Sequence, residues 1–149
     1  MNLVEVLAPE AVFPALEVTC DKQVLLKVAD YAAGKVRRPA QEIFEALMER
    51  ERLGSTACGG GVAIPHARLP GLKHTICEFV RLKRAVNFNA PDGKPVDILF
   101  AIFAPAEGGG DHLRALSHIA RMLRDADLCD SLRRATSRET LYRLLVDHG

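Results

Sequence analysis

Apolar and polar positions alternate along this chain with two different periods, and the change of period marks the elements. From Asp21 to Val36 the residues Val24, Leu25, Val28, Ala29 and Ala32 recur at the spacing of one helix face, and Gly34 with Pro39 marks the end of that helix. A second helix is predicted to begin near Pro39, a favourable first-turn residue, and to carry Ile43, Phe44, Leu47 and Met48 inward as far as Gly54. Gly59-Gly60-Gly61 breaks the pattern before a short apolar run, Val62-Ala63-Ile64, which stops at Pro65. Thr75 to Leu82 reads as a strand. The turn Pro91-Asp92-Gly93 then leads into Val96 to Phe103, an almost uninterrupted apolar run that suits a central strand covered on both faces. After a loop from Ala104 to Gly110, a helix from Asp111 to Arg124 places Leu113, Leu116, Ile119, Ala120 and Leu123 on one side, and a last helix starts at Ser137. Helices before, between and after short strands predict an α/β sandwich, a mixed central β-sheet flanked by helices. No repeat, low-complexity tract or linker divides residues 1–149, so a single domain is expected.

Composition narrows the functions open to such a domain. At 149 residues and 48% hydrophobic the chain buries a full core. Its 20 basic and 19 acidic residues nearly cancel, so no long-range field selects nucleic acid or an anionic membrane, and any phosphate chemistry has to be local. Acids rather than lysines and arginines accompany the first apolar residues, and no stretch reaches the length that spans a bilayer, which predicts a cytoplasmic protein. Cys20, Cys58, Cys77 and Cys129 form no Cys-x-x-Cys pair and are expected to be reduced and mostly buried. Seven arginines from Asp111 onward face six acids, a solvated mixed-charge surface rather than a stripe that tracks nucleic-acid phosphates, although it also suits an acidic protein partner.

Five histidines remain as candidate chemistry. His66 follows the glycines and Pro65, which fixes the backbone just before the ring; a neutral imidazole there is a competent nucleophile if a carbonyl holds its other nitrogen. His112 lies about 45° from the centre of the predicted apolar face of its helix, in a first turn whose amides and dipole favour an anion. An inward histidine satisfied by a backbone carbonyl fits the same position. His118 falls almost opposite that face and is expected in solvent. Arg50, at the edge of the stripe begun by Ile43, either complements the end of its helix or reaches over the following loop to grip a phosphoryl oxygen. A metal-dependent hydrolase using His66, His74 and His112 is a remote alternative, because no His-Glu-x-x-His or Cys/His ligand spacing exists; no metal and no cofactor are expected.

Taken in order, these residues carry a family resemblance. Arg50-Glu51-Arg52-Leu53-Gly54-Ser55-Thr56, Gly61-Val62-Ala63-Ile64-Pro65-His66, Phe88-Asn89-Ala90 to Pro95-Val96-Asp97-Ile98-Leu99-Phe100-Ala101, and His112-Leu113 resemble the type-2 (fructose/mannitol/nitrogen-regulatory) enzyme IIA of the phosphoenolpyruvate-dependent phosphotransferase system over nearly the whole chain. The resemblance implies that His66 accepts a phosphoryl group from a histidine phosphocarrier protein, with His112 as the second active-site histidine and Arg50 as the arginine. Ser55 and Thr56 are candidate minor donors to the phosphoryl oxygens. Ala67 departs from the glycine that often follows the active histidine. The free-standing length and the Pro-Val-Asp-Ile-Leu-Phe segment resemble the nitrogen-regulatory branch, whose downstream partners would be a regulated transporter, kinase or other protein. The alternative is a sugar-specific enzyme IIA that passes phosphate to an enzyme IIB.

Overall fold

The computed structural model of the chain describes residues 1–148. A short helix α1 (Leu3–Val6) and a single 3-10 turn (Pro9–Ala11) lead into strand β1 (Val12–Leu16), followed by helices α2 (Asp21–Val36) and α3 (Ala40–Arg52). Three short strands come next, β2 (Ala57–Gly59), β3 (Val62–Ala63) and β4 (His66–Leu69), then two long ones, β5 (Ile76–Val86) and β6 (Val96–Pro105). Helices α4 (Asp111–Met122), α5 (Ala126–Arg134) and α6 (Arg138–His148) complete the described chain. Among the described residues no helix is long and apolar enough to cross a membrane.

The six strands form one mixed sheet in the order β1-β5-β6-β3-β2, with β4 also pairing β6. Strand β6 is central: it runs antiparallel to β5 on one side and parallel to β3 and β4 on the other. Its side chains alternate between two cores. Ile98, Phe100 and Ile102 face a cluster formed with α1, α4, α5 and α6, whereas Leu99, Ala101 and Phe103 face the cluster built on α2 and α3. Both faces of the strand are thus covered, as its unbroken apolar run demands.

The helices at 21–36 and 40–52 follow the predicted spacing, with Val24, Leu25, Val28, Ala29, Ala32, Ile43 and Leu47 buried and Phe44 and Met48 half-buried. The last helix starts where the sequence places it, because the Ser137 hydroxyl accepts the Thr140 amide at 3.1 Å. Three expectations need correction. Leu113 is 61% exposed rather than inward. The buried arc of α4 is centred on Ala115, Ile119, Met122 and Leu123, about 120° from Leu113 around the helix. His118 is half-buried rather than in solvent, since residues of α1 and of the segment 73–75 stand beside that side of α4. Cys20 and Cys58 are exposed; only Cys77 and Cys129 are buried, all four as free thiols. The pattern also passed over β1, which contains Pro14 on a sheet edge, and the nine-residue α5.

Candidate active site

The chain does not leave the sheet at Pro65. The carbonyl of Pro65 accepts the Ile102 amide at 2.9 Å, and pairing with β6 resumes at His66, opposite Ile102. His66 is therefore a strand residue, 7% exposed. Ala67, in place of the glycine expected after it, sends its methyl group into the core beneath α2 and α3.

Two contacts fix the state of the His66 ring. Nδ1 lies 2.8 Å from the carbonyl of Ile64, which can only accept, so Nδ1 carries the proton. Nε2 is left with its lone pair, and that lone pair accepts the Arg50 Nε–H at 3.2 Å. Burial, and secondarily the Arg50 charge, hold the His66 pKa below its ordinary value against the opposing effect of the Ile64 carbonyl. Near neutral pH the ring is an uncharged base with a directed lone pair.

Arg50 both closes its helix and reaches the His66 ring. Its Nη1 donates to the Gly54 carbonyl at 2.8 Å, closing the end of α3, while its Nε reaches across to His66. His112, in the first turn of α4, brings its ring to 5.1 Å from that of His66 at an interplanar angle of 47°. Its pKa is lowered by burial first, then by His66, Arg68 and Arg50. The His112 Nδ1 is shut off from solvent and has no hydrogen-bond partner among the described residues. A polar atom left so beside a second imidazole calls for an explanation, and an incoming hydrogen-bonding group would supply one.

Ser55 and Thr56 lie nearby in sequence, but each has its single hydroxyl proton committed elsewhere. Ser55 donates to the Phe88 carbonyl at 2.5 Å and Thr56 to the Glu51 carboxylate at 2.6 Å. Thr56 instead serves as a brace. Glu51 also accepts the Thr56 amide at 3.1 Å, and the Thr56 carbonyl accepts the Ile64 amide at 3.0 Å. The carbonyl that holds His66 is thereby tied, through two residues, to the last turn of α3. Among the described residues no three His, Cys, Asp or Glu side chains are gathered closely enough to hold a metal ion. His74 lies on the other side of α4 from the paired imidazoles, with His118.

A second brace fixes the glycine hairpin that leads into β3. Arg133 of α5 grips Asp97 through Nε at 3.0 Å and Nη2 at 2.9 Å, and donates from Nη2 to the Gly60 carbonyl at 2.8 Å. Gly61 has φ of +81°, and a Cβ there would stand 2.8 Å from Arg133 Nη2 and 3.1 Å from Asp97 Oδ1. The positive φ calls for glycine, and an added methyl group would also push the Arg133 guanidinium away from its contacts with Asp97 and Gly60.

Sequence reasoning passed over Glu51, Arg133 and Arg68. Arg68 shares a strand face with His66, two residues on, and its charge is felt by His112. The period-two signal was there, but Pro65 read as the end of the strand.

Comparison with known proteins agrees with this architecture. The family model for the phosphoenolpyruvate-dependent sugar phosphotransferase system, EIIA 2, matches residues 5–148. A nitrogen regulatory protein of Bradyrhizobium diazoefficiens is 44% identical over 146 residues, covering 98% of this chain and 95% of that protein. One from Escherichia coli K12 is 37% identical over 148 residues, covering 99% and 91%. The crystal structure of nitrogen regulatory protein IIA-Ntr from Neisseria meningitidis superposes with a TM-score of 0.91 at 34% identity, covering 95% of this chain and 97% of that one. The chain belongs to the EIIA 2 family of phosphotransferase-system components, on the side of that family where the nitrogen regulatory proteins lie.

Proposed function

We propose that His66 accepts a phosphoryl group from the phosphohistidine of a histidine phosphocarrier protein, and that the phosphorylation state of this chain then regulates protein partners. The observation that carries this reading is the polarised ring: Nδ1–H on the Ile64 carbonyl and a lone pair at Nε2. In the transfer, the Nε2 lone pair attacks phosphorus, the donor's N–P bond breaks, and its electron pair returns to the donor imidazole. His66 gains positive charge as the donor ring loses it. The Ile64 carbonyl faces Nδ1–H and stabilises that charge.

Arg50 has two tasks in this scheme. At rest it caps the nucleophilic lone pair; when the phosphoryl group arrives, Nε gives up Nε2 and the guanidinium takes a phosphoryl oxygen instead. His112 donates a hydrogen bond to another oxygen. Transfer of this kind needs alignment and charge stabilisation more than covalent help, which suits a site made of two neutral imidazoles and a guanidinium. Regulated transporters or kinases are the partners this reading favours, on the strength of relatives named nitrogen regulatory proteins. It places the protein in the cytoplasm.

Incubation with phosphoenolpyruvate, enzyme I and the phosphocarrier should add one acid-labile phosphate, located at His66 by mass spectrometry. His66→Ala should abolish uptake; uptake that survives in this variant refutes the assignment. His112→Ala and Arg50→Ala should each slow transfer by about 10²-fold, the usual cost of losing one charge-stabilising donor. Pull-downs with phosphorylated and unphosphorylated chain should differ, and a partner indifferent to phosphate would remove the regulatory half of the proposal.

A further inference from the structure

Helix α4 also lines a groove on the side away from His112. About 180° around it from His112, Arg121 and its neighbours Ser117 and His118 border a groove of about 730 Å³ closed by α1 and the segment 73–75. Among the described residues Lys73, Arg114 and Arg121 line it, with His74 and His118, and one carboxylate, Glu5. Among the described residues neither Lys73 nor Arg121 takes part in an ion pair. Such a concentration is not a property of the surface at large, because the whole chain carries a formal charge of only +1. The groove between α5 and α6 has the opposite character, with Asp125, Asp127, Glu139 and Asp147 along its walls.

We propose that the α4 groove is a binding site for a small organic oxyanion of two or more charges, a phosphate ester or a polycarboxylate. The volume exceeds that of a single inorganic ion, and Val6, Pro105 and Leu113 give part of the wall an apolar character that suits a carbon skeleton. Lys73 and Arg121 supply the charge from two separate elements, so the anion bridges the segment before β5 and the outer side of α4. His118 reports on the occupant. Its pKa is held down by burial, then by the Met1 amine and Arg121, while among the described residues Glu5 is the one opposing carboxylate on the groove wall. Lys73, His74 and Arg114 complete the charged surroundings. An anion seated there offsets those effects and raises the pKa of His118. The groove begins one residue beyond His112, on the same helix, which gives a bound metabolite a route to the orientation of His112 that does not pass through the phosphoryl cleft. The binding claim itself is independent of any chemistry at His66.

The test is an NMR titration of the intact chain with inorganic pyrophosphate and, separately, citrate, following the Cε1–H signals of all five histidines at ionic strength held constant with chloride. The expected result is saturable movement of His118 and His74 with at least one of the two probes, a rise in the His118 pKa, and at least tenfold weaker binding in the folded double variant Lys73→Gln/Arg121→Gln. Shifts no larger than those in chloride alone, shifts confined to His66 and His112, or undiminished binding by the double variant would each overturn the proposal. Confinement to His66 and His112 would also show phosphate recognition in the other cleft, so the two readings fail separately.

Discussion

Glu78 provides the sharpest test of how this sheet is built. It sits in the middle of β5, opposite Ala101 of β6, is 0% exposed, and neither carboxylate oxygen has a hydrogen-bond partner among the described residues. Burial alone pushes its pKa from 4.5 up to about 9. Folding at neutral pH therefore takes up a proton. The unfolded chain binds fewer protons at Glu78 than the folded one between those two values, so the contribution of Glu78 to stability is greatest below pH 4.5 and falls as pH rises toward 9. At about 1.4 kcal/mol per pH unit, moving from pH 5 to pH 8 removes about 4 kcal/mol, a large share of the 5–15 kcal/mol typical of a folded domain. Glu78→Gln keeps the shape and cannot ionise. Urea denaturation followed by circular dichroism should give Glu78→Gln a stability within about 1 kcal/mol of wild type at pH 5 and an advantage of about 4 kcal/mol at pH 8. A difference between the two proteins that stays flat across this range would refute the reasoning, because it would mean that Glu78 titrates alike in both states.

Three further expectations follow from geometry already described. Arg50→Met removes one of the two causes holding the His66 pKa down, so an NMR titration should show that pKa rise toward 6.5, and an unmoved midpoint would exclude direct coupling of the two groups. For the wild-type protein the sign runs the same way: phosphoryl uptake should be flat above pH 6.5 and decline below it as His66 becomes protonated, and a decline beginning at higher pH would contradict a neutral buried ring. Gly61→Ala, which combines a positive φ with a clash against Arg133, should cost about 1–3 kcal/mol in thermal or urea unfolding, and a neutral effect would show the hairpin able to move aside.

The physical reasons for what could be read from the sequence differ by element. The helix at 21–36 announces itself because five apolar residues repeat over about two and a half turns, and β6 because both its faces are covered. His112 and Arg50 lie on the sides that helix periodicity indicates, within reach of His66. Periodicity failed where a neighbour outside the element decided the outcome. His118 is covered by residues distant in sequence, and Leu113 is left out because the buried arc of α4 is centred elsewhere. Proline misled twice, hiding β1 around Pro14 and, at Pro65, hiding β4, which begins at the next residue. Glu78 could not be foreseen at all. An acid between Cys77 and Phe79 reads as the solvent side of a strand, and only the packing of helices on both faces makes it interior. Ser55 and Thr56 show the limit of a motif, since adjacency to the loop says nothing about where a hydroxyl proton is already spent.

The double brace around the glycine hairpin bears on when, during synthesis, this chain becomes competent. The tautomer of His66 is set locally, by a carbonyl two residues back. Arg50 and the Glu51–Thr56 brace precede it in the chain, but the rest of its surroundings arrives later: β6 about thirty residues on, His112 later still, and Arg133, which holds the Gly60 carbonyl, 73 residues after Gly60. Contacts this far apart in sequence close late because the intervening loop entropy must be overcome first. A nascent or truncated chain ending before α5 would therefore present the histidine with its glycine hairpin unbraced by Arg133, and on the proposed function should take up the phosphoryl group more slowly than the full chain. On the proposed function, the C-terminal helices would thus tie acceptance of the group to completion of the fold.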